Sequence, residues 1–310
     1  MTFTPRELPD LTARTIVITG AGRGVGYFTA ERLAEAGARV VLGVRSDERW
    51  DAASRSILER VPSARLERAI IDLSSLDSIE RAAAHIATLG VVDVLINNAG
   101  LTSGTRTRRE TVDGLELMVG TNHVGAFALT ARLWPTLAPD ARIVGLGSLS
   151  TKLARARLDD MMGERSFSLS RAYATSKHAV HAFALELDRR LRASGSARRS
   201  LLAHPGFALD GLASPRPGVT DLQSPRQRAI ERSLGLFAQG KDGGAWPVVW
   251  ASTDPLAEGG QLWGPRRLVK GEPTLQRPEA QSADPAFGAE VWRLSEGWAG
   301  LTFDPTGGRA

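Results

Sequence analysis

Residues 15–44 restrict the possible folds more than any other stretch. Thr15-Ile16-Val17-Ile18-Thr19 is a short, β-branched apolar run that predicts a buried strand, and it leads directly into Gly20-Ala21-Gly22-Arg23-Gly24-Val25-Gly26. Glycines there let the backbone turn sharply and approach a bound group closely. The helix starting near Gly26 points its amides at the same spot, which suits a pyrophosphate. That helix is expected to run from Tyr27 to Ala36, where Gly37 stops it, and Arg39-Val40-Val41-Leu42-Gly43-Val44 predicts a second strand. A ligand-free tight turn would also use glycine. Strand, glycines, helix and strand in this order point instead to a nucleotide site on a parallel α/β sheet.

The end of the second strand bears on which nucleotide. An acidic residue about 20 positions past the glycines would accept hydrogen bonds from the ribose hydroxyls of NAD. Here Val44 is followed by Arg45 and Ser46, so a guanidinium stands where a carboxylate is absent. That suits the additional phosphate of NADP, and Arg23 can reach the same group; NADP(H) is favoured over NAD(H). The competing explanation is arginine usage: of 39 Lys and Arg residues, only Lys152, Lys177, Lys241 and Lys270 are lysines.

Further along, Ala69-Ile70-Ile71-Asp72-Leu73 predicts a third strand ending in a carboxylate able to accept from an adenine amino group. Val91 to Ile96 predicts a fourth, followed by Asn97-Asn98-Ala99-Gly100 at the strand end where open α/β sheets bind ligands. Asn97 and Asn98 can equally satisfy backbone groups. A helix around Leu115 to Leu133 carries Asn122, and a fifth strand, Ile143 to Leu146, delivers Gly147-Ser148-Leu149-Ser150 to the same edge. Tyr173-Ala174-Thr175-Ser176-Lys177 then sets a phenol and an ammonium four residues apart, on one face of a helix. A cation so placed lowers a phenol pKa from roughly 10, and such a tyrosine can hand a proton to a carbonyl oxygen. Alone, the pair would be an ordinary surface contact.

Taken together, Thr19-Gly20-x3-Gly24-x-Gly26, Asp72-Leu73, Asn97-Asn98-Ala99-Gly100, Asn122, Ser148, Tyr173-x3-Lys177 and Pro205-Gly206 resemble the short-chain dehydrogenase/reductase family over residues 14 to about 265. Asp113-Gly114-Leu115-Glu116 leading to Asn122-His123-Val124-Gly125, with the long stretch between Ser148 and Tyr173, resembles its retinol-dehydrogenase-like branch. The resemblance implies a doubly wound parallel sheet of Rossmann type in three α/β/α layers. It implies hydride transfer between NADP(H) and the carbonyl or alcohol of a hydrophobic small molecule, with Tyr173 as general acid or base. Lys177 would lower the tyrosine pKa and hold the nicotinamide ribose. Ser148 would hydrogen-bond the substrate oxygen, and Asn122 would position a water. Implied cofactor contacts are Gly20, Arg23, Gly24, Val25, Gly26, Arg45, Ser46, Asp72, Leu73, Asn98, Ala99, Gly100, Tyr173, Lys177, Pro205 and Gly206. Two positions depart from the family pattern. Asp210 stands where a cofactor-contacting threonine is common, and Gly147, where a second serine is usual, is expected to free space beside the site.

At 310 residues with 42% hydrophobic content the chain can build a substantial core, read as one domain over 1–310 with its main body at about 12–265. Residues 207–244, rich in Pro, Gly, Ser and Arg, are expected to form a mobile substrate flap with a helix near Arg226 to Gln239. In the extension, about 265–310, the segment Ala286 to Ala299 has helical apolar spacing that would pack against the domain or a second subunit. Leu101, Leu149, Met161, Met162, Phe167, Leu169 and Phe207 are expected to wall the substrate pocket.

The chain has no cysteine, so disulfides, thiol nucleophiles and cysteine metal sites are excluded. His85, His123, His178, His181 and His204 form no ligand pattern; packing or surface roles are expected and no metal site. Nothing resembles a signal peptide and no apolar run nears the roughly 18 residues of a membrane span, so a soluble cytoplasmic protein, a homodimer or homotetramer, is expected. The formal charge of +5 raises a rival, a nucleic-acid-binding face at Arg106, Arg108 and Arg109 or at Arg198 and Arg199. Interleaved acids and the lack of an aromatic-basic platform argue for solvated surface, with no nucleic acid partner. Reduction of a carbon-carbon double bond, or a silent NADP-binding sensor, are the alternatives within the fold. The intact Ser148, Tyr173 and Lys177 argue against the sensor.

Overall fold

The computed structural model describes residues 8–220 and 224–306. Strand β1 (Thr15–Thr19) is followed by α1 (Gly24–Glu35), β2 (Arg39–Val44), α2 (Asp47–Arg60), β3 (Arg65–Ile70), α3 (Leu76–Thr88) and β4 (Val92–Asn97). A helical stretch in three pieces comes next: α4 (Leu117–Val119), a π-helical turn (Gly120–Val124) and α5 (Gly125–Leu133). Then come β5 (Leu137–Leu146), α6 (Leu169–Ala193), β6 (Arg199–Ala203), the two-residue β7 (Ala208–Leu209) and α7 (Pro225–Ser233). The chain continues through β8 (Gln239–Gly240), α8 (Lys241–Gly244), α9 (Trp246–Thr253), β9 (Leu262–Pro265), β10 (Pro273–Gln276), α10 (Ala280–Ala283) and α11 (Pro285–Ala299).

Eight strands form one sheet in the order β10-β9-β6-β5-β4-β1-β2-β3. Neighbours are parallel except β9 with β10. The order reverses beside β1, at the break between β1 and β4, where sheets of this class bind ligands outside the strands' carboxyl ends. Alternate residues of β1 feed opposite cores. Ile16 and Ile18 pack with α1 and α9, and Val17 packs with α3, α5 and α6, giving a three-layer Rossmann-type α/β/α fold. No helix among the described residues is long and apolar enough to cross a membrane.

Several elements differ from their sequence expectation. The third strand is Arg65–Ile70, ending before Asp72. As the sheet's edge it carries Arg65, Glu67 and Arg68, which hid it from an apolar search. The helix expected over Leu115 to Leu133 is interrupted by the π turn at Asn122. The flap helix ends at Ser233 rather than Gln239, and the flap is anchored at two places. β7 and β8 pair through Ala208↔Gln239 and Leu209↔Gly240. Arg216 makes a two-pronged ion pair with Glu31 of α1 at 2.6 and 2.7 Å, both side chains buried, its guanidinium over the Phe28 ring.

The tail segment packs on its own chain. α11 lies against α6 and α5, with Trp292 only 1% exposed among Phe127, Phe183 and Phe303. The apolar stripe read at Phe287, Val291 and Trp292 is what it buries. β10, which no apolar pattern announced, closes the sheet as an antiparallel edge.

Candidate active site

The glycine-rich loop is a cradle from which side chains are sterically excluded. Gly20 and Gly24 have φ of +70° and +60°, and a Cβ on Gly26 would lie 2.3 Å from Asn98 Nδ2 and 2.4 Å from the Gly20 carbonyl oxygen. Thr19 ties the loop to the β4 end, its Oγ1 accepting from the backbone N–H of Asn98 and Ala99, both at 3.0 Å. The Asn98 amide donates to the Thr19 carbonyl at 2.8 Å. Among the described residues no side chain caps α1, which leaves its leading amides available to an anion. These features fit a dinucleotide pyrophosphate.

At the neighbouring strand ends Arg23 and Arg45 are exposed, and Val25 is half-buried behind the loop. Arg45 pairs loosely with Asp72 at 3.9 Å. Burial would push the Asp72 carboxyl up, but hydrogen bonds from the Ser74 hydroxyl and backbone, with the Arg45 charge, hold it below the usual carboxylate range. Ser46 caps α2, its hydroxyl accepting from Arg49 N–H at 3.4 Å. The Leu73 side chain is buried in the core, so Leu73 can meet a cofactor only through its backbone.

The candidate proton-transfer groups converge at the end of β5 and the start of α6. Tyr173 donates from its hydroxyl to Ser148 Oγ at 3.2 Å, and Ser148 also accepts from Ser150 N–H at 3.1 Å. Lys177, one turn along α6 and 4% exposed, donates from Nζ to the Leu146 carbonyl at 2.7 Å and stands 6.0 Å from the Tyr173 ring centre. Asn122 grips Leu101 from both sides, accepting from its N–H at 2.6 Å and donating to its carbonyl at 3.0 Å, while Nδ2 also donates to Ser176 Oγ at 3.0 Å. A Cβ on Gly100 would sit 3.1 Å from Asn122 Oδ1 and 3.6 Å from Lys177 Nζ, so both groups reach one spot above the β4 end. The π turn that sets Asn122 there adds a residue to the helix, and Glu116 caps its start, accepting from Met118 and Val119 N–H.

Burial raises Tyr173 above its ordinary value, against the Ser148 hydrogen bond, and pulls Lys177 down to about 8. The expected lowering of the phenol by Lys177 is therefore not what the folded chain shows, because the ammonium is turned to the Leu146 carbonyl and the ring is desolvated.

Gly147 does not free space. A Cβ there would lie 2.3 Å from Nε2 of His181, whose buried ring fills the gap. Desolvation pulls His181 down to about 3, and neither ring nitrogen has a hydrogen-bond partner among the described residues. Gly206 has φ +68°, and a Cβ on it would strike the Val269 carbonyl at 2.3 Å, so the Pro205-Gly206 turn is locked against the β9–β10 connection. Asp210 faces Lys241 at 2.6 Å. Sequence reasoning missed Lys241; the scarcity of lysine in the chain was the one available signal.

The expected pocket wall divides. Met161 is buried against Ala179, Ala182, Phe287 and Val291, under α11. Met162 packs on the main core, its sulfur accepting from Glu116 N–H at 3.4 Å, so it braces the Asn122 helix instead. Phe167 folds back on Gly163. Leu101, Leu149 and Leu169 are half-buried and Phe207 is 43% exposed, positions compatible with a wall. The segment after Ser148 is strapped by the C-terminal extension. Lys152 pairs with Glu279 at 2.6 Å, Gln281 exchanges two hydrogen bonds with the Ala156 backbone, and His178 bonds Ser282 at 2.7 Å. His123 likewise bonds Ser295 of α11 at 2.6 Å. Thus His123, His178 and His181 serve packing and bracing rather than a surface.

Fold and site together define a nicotinamide-dependent oxidoreductase class. The sequence profile of the family described as short chain dehydrogenase matches residues 14–206, and the chain belongs to that family. It is 34% identical over 265 residues to polyprenol dehydrogenase of Mus musculus, covering 83% of this chain and 76% of that protein. It is 37% identical over 202 residues to human retinol dehydrogenase 13, covering 64% of this chain and 60% of that one. The crystal structure of an uncharacterized protein from Mycobacterium Paratuberculosis superposes with a TM-score of 0.80 at 33% identity, covering 98% of this chain and all of that one. A short chain dehydrogenase from Burkholderia cenocepacia J2315 in complex with NADP shares the fold, with a TM-score of 0.63 at 21% identity over 85% of this chain and 98% of that one.

Proposed function

We propose that the chain is a one-domain, NADP(H)-dependent dehydrogenase/reductase acting on the carbonyl or alcohol of a hydrophobic small molecule, with Tyr173 as the proton-transfer group. The observation that carries this reading is the Tyr173 hydroxyl 3.2 Å from Ser148 Oγ with the buried Lys177 ammonium one helical turn away. When bound, the dinucleotide supplies or accepts the hydride. The chain's own residues orient and protonate. Ser148 is free to turn its hydroxyl proton to a substrate oxygen, and the Tyr173 hydroxyl, already aimed at Ser148, gives up its proton to that oxygen as negative charge develops there. With the dinucleotide bound, Lys177 would turn from the Leu146 carbonyl toward the phenolate and the nicotinamide ribose, and Asn122 would position a water through which protons return from solvent. Exclusion of water by the flap at about 207–244 would sharpen each of these interactions.

Support for NADP comes from Arg45, exposed at the end of β2 with Arg23 nearby and no carboxylate at that position. Support for an apolar alcohol or carbonyl comes from Leu101, Leu149, Leu169 and Phe207 around the site and from the relatives named for polyprenol and retinol. A panel of hydrophobic ketones, aldehydes and long-chain alcohols, followed by nicotinamide absorbance with each cofactor, tests the reading; no turnover on any member with either cofactor refutes it. Arg45→Asp should weaken NADPH about tenfold to a hundredfold and leave NADH nearly unchanged, the size of one or two charge-assisted hydrogen bonds. Equal losses would remove the case for phosphate recognition.

A further inference from the structure

Asp210 is a carboxylate at the edge where a dinucleotide's two phosphate charges would come to rest, which by itself would repel them. The fold has placed an ammonium on it. β7 and β8 pair side by side, and α8 begins on the next residue, so Lys241 is returned to Asp210 with Nζ 2.6 Å from Oδ2. The lysine side chain then continues across the glycine-rich loop. A Cβ on Gly24 would lie 3.2 Å from Lys241 Cδ and 3.3 Å from Nζ, and its three nearest atoms all belong to that lysine. Thus the ammonium stands directly over the leading turn of α1. Both partners are about three-quarters buried, at 26% and 28% side-chain exposure, so solvent screens the pair less than a surface one.

A purely structural tie is not needed at this place. The flap base is already held by the β7–β8 ladder, by Gln239 donating to the Pro205 carbonyl at 2.8 Å, and by Asp242 accepting from both the hydroxyl and the backbone of Ser214. Gly244 packs so closely on Ala208 and Pro205 that a Cβ would lie 2.8 and 3.0 Å from them. The chain has few lysines, and this one lies over the anion cradle.

We propose that Lys241 is a pyrophosphate-binding residue, held by Asp210 and shared with the dinucleotide phosphates on binding, so that Asp210 acts as an internal competing anion that limits cofactor affinity. The proposal rests on the dinucleotide reading above and links the flap to the cofactor, since the residue that would grip the phosphates is the first residue after β8. The test is titration of NADPH and of NADH into the full chain, followed by quenching of tryptophan fluorescence, for the unaltered protein, Lys241→Met, Lys241→Arg and Asp210→Asn. Lys241→Met should weaken both dinucleotides about tenfold, since both carry the pyrophosphate and one charge-assisted contact is lost. Lys241→Arg should retain most of the affinity. Asp210→Asn should tighten both severalfold by removing the competitor.

A structural tie gives a different pattern, with Lys241→Met and Asp210→Asn both weakening binding, and that result overturns the proposal. Unchanged affinity in Lys241→Met overturns it as well, as does a loss confined to NADPH, which would move the ammonium to the ribose phosphate. If the unaltered protein binds neither dinucleotide, the cofactor reading itself fails and takes this proposal with it.

Discussion

The candidate dinucleotide cradle and the candidate catalytic edge lie side by side on the same sheet but are held in opposite ways. The cradle is defined by missing side chains. Gly20, Gly24 and Gly26 let the loop, the β4 end and α1 approach to distances no Cβ would allow, and the contacts that fix it come from adjacent strand ends. The catalytic edge is defined by side chains braced from far along the chain. α6, which carries Tyr173 and Lys177, is packed by α11 through Trp292 and bonded by Ser282, and the Asn122 helix is bonded by Ser295. The lesson is that damage should travel differently: a small addition breaks the cradle, whereas a removal loosens the edge.

The sharpest separation of the two regions is Tyr173→Phe. Loss of the proton donor should lower kcat about a thousandfold, within the usual range for general acid-base groups, while NADPH affinity stays within a few fold. A parallel loss of NADPH binding would mean the regions are not independent. Trp292→Ala, a removal behind the catalytic helix, should cost about 3 to 5 kcal/mol by denaturant unfolding, because the cavity opens among Phe127, Phe183 and Phe303. If stability barely changes, α11 is not the brace described. In the cradle, Gly26→Ala adds one methyl against Asn98 Nδ2 and the Gly20 carbonyl and should cost about 1 to 3 kcal/mol together with dinucleotide binding. Intact binding in a fully folded Gly26→Ala protein would break the comparison from the other side.

The smallest effect concerns pH. Burial depresses His123 and His181 to about 3, below the ordinary value of about 6.5 in the unfolded chain. Below pH 6.5 the unfolded chain takes up protons that the folded chain refuses. Stability is therefore complete above that pH and falls as pH drops from 6.5 toward 3, by roughly 1 kcal/mol per pH unit for each histidine. Unfolding free energies measured from pH 7 to 4 should show that slope, and His123→Asn should reduce it; a flat profile would mean the rings are not held neutral.

Much of the site could be read before folding because its signals are local. The strand-glycine-helix-strand run of residues 15–44, Asn98 at a strand end and the Tyr173 to Lys177 spacing each lie within one or two elements, and the folded chain places Ser148 beside Tyr173 and Asn122 beside Lys177. Met161 and Met162 misled because an apolar residue in a long insertion looks the same whether it faces a substrate or a helix from the C-terminal extension. β3 escaped because an edge strand has no need of continuous apolar sequence.

Gly147 separates the two kinds of information. Its identity suggested open space, yet the reason for a glycine there is a histidine ring 34 positions later, brought back by one pass of α6 over the end of β5. Hydrophobic periodicity and backbone freedom determined the sheet, its helices and the cradle, because both act between near neighbours along the chain. The pairing of Asp210 with Lys241, the bracing by Ser282 and Ser295, and the protonation tendencies of Tyr173 and Lys177 were decided only by the tertiary structure. Desolvation and ion pairing depend on what surrounds a group in space, and those surroundings come from segments that no local pattern connects.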